Sequence, residues 1–243
     1  MGGGSSVSRT AILIPSLGRS QHVKRVHGNI EANTIEPHTQ WWIFGDDGYE
    51  EELVPLIPGN ATYYFDDDPS DTRYVTRMNQ ACRAILSANT FGEYSDQPDP
   101  YEYVFFGSDD VVHHPFWLSK AIEVMESAKD AAVVVVNDLR NPNGTQALVR
   151  TSYLPLAVFD DPSAAFHHGY QHNFADTEMF QTAAQRGVIY RAMESHVEHL
   201  HPLHQGPNQR QWDETYANAQ RQWDVDAKLF HERMILMKEA LGG

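Results

Sequence analysis

The stretch Tyr103-Val-Phe-Phe-Gly-Ser-Asp-Asp-Val-Val-His-His-Pro115 decides how this chain is read. Tyr103–Phe106 is a short aromatic and β-branched run, the pattern of a buried strand. It stops at Gly107 and runs straight into Ser108, Asp109 and Asp110. Two adjacent carboxylates at the end of a buried strand repel each other and lose hydration. They are costly there unless a cation or donor groups neutralise them. Hard cations such as Mg²⁺ and Mn²⁺ take carboxylate oxygens and usually hold phosphate as well. Asp109 and Asp110 therefore read as directed at a metal rather than as turn formers.

The same arrangement recurs on the N-terminal side. Thr10–Pro15 reads as a strand, Gln21–Asn33 as a helix, and Gln40–Phe44 as a strand that ends in Gly45-Asp-Asp-Gly48. Ala61–Phe65 is a further strand; the Asp66–Asp68 cluster after it runs into Pro69-Ser70 and reads as turn chemistry. Ser70–Ala88 has helical spacing with Ser70 as N-cap, and Asn89–Pro100 is a polar loop. On the other side, Phe116–Ala128 reads as helix, and Ala131–Asn137 and Ala147–Thr151 as strands joined by the turn Asn141-Pro-Asn-Gly144. Asp176–Gln185 is a helix stopped by Gly187, Val188–Ala192 a short strand, and Asp213–Leu241 a polar helix. Strands alternating with helices predict an α/β fold, with ligands outside the C-terminal ends of the strands.

Composition narrows the function classes. The 243 residues suit one α/β domain with a helical appendage. With 18 Lys+Arg against 33 Asp+Glu, the net charge of −15 argues against general binding of nucleic acid or anionic lipid. The lone Cys82 cannot form an intrachain disulfide and fits a reducing, cytoplasmic compartment. The longest apolar run, Ala131–Val136, is far too short to span a bilayer. The first six residues, Met-Gly-Gly-Gly-Ser-Ser, read as a flexible leader.

Two further features carry chemistry. His196, His199, His201 and His204 form a histidine strip. In extended chain, His199 and His201 would share a face, as metal ligands do; the competing reading is an exposed polar loop. Asp176-Thr-Glu opens a helix, where a carboxylate is either a general base or an ordinary cap.

Taken in order, these pieces resemble the family-2 group of GT-A glycosyltransferases. Ala11-Ile-Leu-Ile-Pro-Ser-Leu-Gly-Arg19 is similar to that family's opening strand and donor loop, and Phe44-Gly-Asp-Asp-Gly48 to its nucleoside-binding signature. Arg73–Ala84, centred on Asn79, resembles the helix with its characteristic asparagine, and Phe105–Pro115 the DxD segment. Asp176 lies eleven residues before Gly187, the family's spacing of catalytic aspartate to glycine, and Val197–His201 falls where relatives place a metal-completing histidine. Two departures stand out: Ser108 takes the first DxD position, so the metal would lean on Asp110 with Asp109 as helper, and Ala175 replaces an acidic residue.

The resemblance implies a GT-A mixed sheet flanked by helices and a metal-dependent, inverting transfer of sugar from a nucleotide-sugar, UDP-sugar favoured. Pro15, Ser16, Gly18, Arg19, Asp46, Asp47, Arg73, Arg77, Asn79, Ser108 and Asp109 would bind the donor. Asp110 with His201 or His199 would hold Mn²⁺ or Mg²⁺, and Asp176 would be the base. The expected division is a leader at 1–7, a catalytic domain at 8–205 (donor half 8–110, acceptor half 111–205) and a C-terminal helical extension at 206–243. The acceptor stays open among glycan, small molecule, protein and modified nucleic-acid base, as does oligomeric state; no membrane partner is expected. Three rival readings remain: a metallohydrolase built on His167, His168, His199, His201 and His204; a nucleotidyltransferase; and a non-catalytic sugar- or nucleotide-binding module using the Trp41/Trp42 and Tyr63/Tyr64 pairs.

Overall fold

The structure is a computed structural model and describes residues 9–16, 19–44, 61–64, 73–90, 101–203 and 212–242. Eight strands, β1 (Arg9–Ser16), β2 (His38–Phe44), β3 (Ala61–Tyr64), β4 (Tyr101–Phe106), β5 (Val111–His113), β6 (Val133–Asn137), β7 (Ala147–Arg150) and β8 (Ile189–His199), join in the order β3-β2-β1-β4-β7-β6-β8-β5. The first four run parallel; β7 turns the direction, pairing antiparallel with β4 and β6. The helices are α1 (Ser20–Asn33), α2 (Tyr74–Thr90), α3 (Trp117–Ser127), α4 (Ala175–Gln185) and α5 (Glu214–Leu241).

The period-two alternation of the strands divides the core. Ala11, Leu13, Trp41, Ile43, Val104 and Phe106 face α2 and α4. Ile12, Ile14, Trp42, Phe44, Tyr103 and Phe105 face α1 and α3. Both faces are thus covered, which is why the strands read as unbroken apolar runs. Trp41 and Trp42 are core residues, their indole N–H groups donating to Tyr101 Oη and Gln40 Oε1, so this pair offers no exposed stacking surface. The side chains of Tyr63 and Tyr64 lie outside the described residues.

The predicted turn at Asn141–Gly144 joins β6 to β7, with the Gly144 amide donating to Asn141 O. Gly144 has a φ of 73°, and a Cβ there would sit 2.4 Å from Val135 Cγ1, so only glycine fits.

Three elements differ from expectation. α2 starts at Tyr74 rather than Ser70, and Ser70 lies outside the described residues. β8 is eleven residues long and reaches His199 instead of stopping at Ala192. A register shift between Val136 and Asn137, where β8 inserts extra residues, breaks its alternation and hides the strand. It also overturns the loop reading for His196–His199. The third is β5, an antiparallel partner of β8 with Val111 opposite His199.

Candidate functional site

That β5–β8 pairing joins residues 110 and 199. Leu200 N donates to Asp110 O at 2.8 Å, and His199 Nε2 lies 3.2 Å from Asp110 Oδ2. The other face of the imidazole is held by Thr145 Oγ1, 3.3 Å from Nδ1, and by Asp138 Oδ2 at 3.8 Å. Asp138 Oδ1 also accepts the His199 amide at 3.2 Å. This backing turns Nε2 toward Asp110. Asp110 further accepts from Ser108 Oγ and from Tyr216 Oη, the latter at 2.8 Å. Burial opposes charge on Asp110, but His199 and the three hydrogen bonds outweigh it and hold the carboxyl well below its usual range. Burial likewise opposes charge on His199, while Asp110, Asp138 and Asp176 raise its pKa.

Beside this pair sits a second charged group. Asp109 accepts from Ser16 Oγ and from Arg19 Nη1, both at 2.8 Å. Arg19 also donates to Asp213, the N-cap of α5, at 2.9 and 3.0 Å, and its guanidinium lies 4.3 Å from the Tyr216 ring centre. These contacts stitch β1, the β4 end and α5 together. Asp109 thus clamps Ser16 and Arg19 while lining the cleft beside Asp110. Arg19 is neutralised by two carboxylates before any ligand arrives.

A single cleft of about 1210 Å³ is lined by Pro15, Ser16, Arg19, Arg77, Ser108, Asp109, Asp110, Asp176, His199 and His201. Arg73 and Asn79 are not among its lining residues. Arg73 Nη1 donates to His168 O at 2.9 Å. The Asn79 amide is saturated by the 165–166 backbone, accepting from Ala165 N and Phe166 N and donating to Phe166 O. Both support the loop before α4 in this structure. Arg77 lines the cleft and donates to Phe44 O at 2.9 Å. Gly18, Asp46, Asp47, Asp66–Asp68 and His204 lie outside the described residues.

His201 sits on the turn beyond β8, where strand alternation has ended. Its Nδ1 accepts from Leu203 N, and its ring packs 4.8 Å from Tyr216. The geometry therefore pairs Asp110 with His199 and sets His201 beside them.

Asp176 is in the first turn of α4 but is not its cap. Phe174 is, in a left-handed conformation and with no side-chain cap bond. Asp176 Oδ1 accepts from Thr177, N at 2.7 Å and Oγ1 at 3.3 Å. Burial pushes its carboxyl up, and the Thr177 bonds offset this only in part.

From sequence the polar C-terminal helix α5, with Trp212 and Trp223, reads as either an acceptor-binding appendage or an oligomer contact; the bonds by which it enters the site do not show in the sequence. Tyr216 touches Asp110, and the fully buried Asp226 accepts three consecutive amides, Gln171, His172 and Asn173, at 2.8, 2.9 and 2.7 Å. Arg233 bridges Glu178 and Asp160, and Tyr170 Oη donates to Glu178. The helix is bolted to the α4 entrance by buried charges.

Among the described residues, no group of three or more His, Cys, Asp or Glu side chains is placed to hold a metal. Asp110 and His199 form a two-ligand set, one hard carboxylate and one oriented imidazole. That set fits a divalent ion which takes its remaining ligands from substrate phosphate and water.

The fold is GT-A: a mixed, Rossmann-like sheet covered by helices on both faces with a C-terminal helix. Solved structures carrying the likeness include the mannosyltransferase PcManGT of Pyrobaculum calidifontis, in complex with GDP-Man and Mn²⁺, at TM-score 0.57 and 12% identity. The match covers 80% of this chain and 57% of that one. The glucosyl-3-phosphoglycerate synthase of Mycobacterium tuberculosis, in complex with Mn²⁺, UDP and glucosyl-3-phosphoglycerate, matches at TM-score 0.59 and 9% identity over 95% of this chain and 80% of that one. TarS of S. aureus matches at 0.55 and 9%, over 80% of this chain and 37% of its own length. No family model matches the sequence, and no curated protein matches it by sequence.

Proposed function

We propose that this chain is a metal-dependent glycosyltransferase that moves a sugar from a nucleotide-diphosphate sugar to an acceptor hydroxyl with inversion. One observation carries the reading: Asp110, His199 and Asp176, distant in sequence, line the same cleft of a GT-A sheet. Structural neighbours bound to GDP-Man or UDP with Mn²⁺ support the class of donor and metal. UDP-sugar is the favoured donor. Residues 8–110 serve as the donor half and 111–205 as the acceptor half, with α5 closing the acceptor side.

In this reading Asp110 and His199, with His201 at hand, hold Mn²⁺ or Mg²⁺. When bound, the ion acts as a Lewis acid that stabilises charge on the departing diphosphate. Arg19, released from one carboxylate, would turn to the diphosphate. Asp176 takes the proton from the acceptor hydroxyl as its oxygen bonds to C1 of the donor sugar. The C1–O bond to the diphosphate breaks, and its electron pair leaves with the nucleoside diphosphate. One displacement inverts the anomeric carbon.

The rival metallohydrolase needs a metal cage made by the protein itself. Its histidines are scattered: His167 and His168 stack on each other at 4.7 Å, with His168 beside Asp161 at 3.8 Å, and His199 faces Asp110. A thermal shift panel of UDP-, GDP-, CDP- and dTDP-sugars, with and without Mn²⁺, tests the proposal. A metal-dependent rise in Tm with one nucleotide class is expected. Equal melting in every condition would reject it.

A further inference from the structure

Next to Asp176 the cleft wall is aromatic. α4 begins at Phe174, whose φ of 65° lies in the left-handed region. A bulky non-glycine residue held there is strained, and such strain persists where the surroundings fix it. Here they do. The Phe174 ring stacks on Phe230 with centroids 5.2 Å apart, and tilts against Trp223 at 4.7 Å. Both partners belong to α5. The backbone that enters Phe174 is held by Asp226, which accepts the amides of residues 171–173, and by Asn173 Nδ2, which donates to Ala219 O at 2.9 Å. The strained residue and the helix are thus locked together, and the outermost ring, Trp223, remains 46% exposed while lining the cleft with Phe174 and Asp176.

The polar residues of the same cleft are suited to neutral groups. Asn143 and Gln181 bring amides, which both donate and accept. Of the arginines lining it, Arg19 is paired with Asp109 and Asp213, while Arg77 and Arg191 donate to backbone carbonyls and keep their charge. Asp109, Asp110 and Asp176 line the same cleft, and the chain carries −15 overall. The summed charge therefore weighs against a polyanionic acceptor such as a nucleic acid.

Resting on the glycosyl-transfer reading, we infer that the Phe174–Trp223 wall is the acceptor platform and that the acceptor is a neutral saccharide. The C–H face of a pyranose ring is slightly positive and lies against the negative face of an indole. Its hydroxyls meet amides at the edges, and a sugar lying flat on Trp223 brings one hydroxyl to Asp176. The platform is assembled before the ligand arrives, so little ordering cost opposes binding.

Calorimetric titration tests this with chitobiose, cellobiose and maltose as neutral probes, and with 3-phosphoglycerate and an oligothymidylate as anionic ones. Each is added in the presence of Mn²⁺ and the nucleoside diphosphate that stabilises the protein. At least one neutral disaccharide should bind. Trp223→Ala should weaken it about tenfold or more, the loss expected for one aromatic anchor, and Trp223→Phe should recover part of it. Nucleotide affinity should stay that of the parent chain, while the melting temperature of Trp223→Ala should fall because Phe174 loses a packing partner. The inference is overturned if no neutral saccharide binds, if Trp223→Ala binds it equally well, or if an anionic probe binds in a Trp223-dependent way instead. Failure of every nucleoside diphosphate to bind would remove the glycosyl-transfer reading itself and this inference with it. Nucleotide binding without saccharide binding would remove the platform alone.

Discussion

Asp110 and Asp176 line one cleft, yet the two ends of that cleft treat a carboxylate in opposite ways. At the β5–β8 end, Asp110 accepts from Ser108 and Tyr216 and faces an imidazole that is itself backed by Asp138. Its charge is secured despite burial. At the α4 end, Asp176 accepts from the amide and hydroxyl of the next residue, and burial pushes its pKa up. One environment makes a permanent anion suited to a cation; the other makes a carboxylate able to take up a proton. Neighbouring acids driven apart in this way are how a fold separates two roles with one residue type.

The largest expected effect breaks the comparison at its α4 end. Asp176→Asn should lower transfer by about 10²–10⁴-fold, the usual contribution of a general base. Affinity for nucleoside diphosphate and Mn²⁺, measured by calorimetry, should stay unchanged. The acid limb of kcat/KM in the parent chain should lie above the ordinary aspartate range, because burial raises the Asp176 pKa. Retained turnover in the Asn variant would mean that the two ends do not divide the chemistry.

Next comes the other end. Asp110→Ala should abolish the effect of Mn²⁺ on nucleotide binding, a loss of the metal's whole contribution rather than a weakening. Asp109→Ala is the informative contrast. Asp109 holds Ser16 and Arg19, so its removal should lower Tm and loosen nucleotide binding while the Mn²⁺ effect persists. Calorimetry with and without Mn²⁺ separates the two. If Asp109→Ala loses the metal effect and Asp110→Ala keeps it, the assignment of ligand and clamp is reversed.

Much of this was legible in the sequence. The strands β1, β2 and β4 are apolar runs because helices cover both of their faces, and they were read within two residues at either end. Asp110, His199 and Asp176 were marked as candidates by their residue types, their order and a family resemblance. What joins them was not legible. β5 has only three residues, and β8 carries exposed Arg191, Met193 and Glu194 across a register shift, so neither shows a strand period. Asn79 and Arg73 hold backbone at residues 165–168, and a side chain that does so has the same sequence signature as one that binds substrate. α5 was legible as a helix that could bind an acceptor or another copy, but its bonds to the site were not. Its inward face mixes Trp223, Phe230 and Met237 with the buried Asp226 and Arg233. The apolar stripe is thus interrupted by charges whose partners lie far off in sequence.

The smallest expected effect concerns stability, and there the two ends should differ in sign. Asp176 has a folded-state pKa above its unfolded value, so the folded chain holds the extra proton between the two. Its contribution to stability is present below the ordinary carboxylate range and is lost as pH rises through the raised value. At neutral pH, above the ordinary carboxylate range, burial of this carboxyl therefore costs the parent chain stability that Asp176→Asn restores. The variant should melt higher than the parent at neutral pH, by about 2–4 °C for each kcal/mol relieved in a chain of this size. The gain should shrink as pH falls toward 4, near the ordinary aspartate pKa. Asp110→Asn, measured in EDTA, should melt lower, because Ser108 and Tyr216 would then share a neutral amide and His199 would lose its anion. Scanning calorimetry of both variants across that pH range decides the matter. Two shifts of the same sign would show that the ends of the cleft are not energetically opposed.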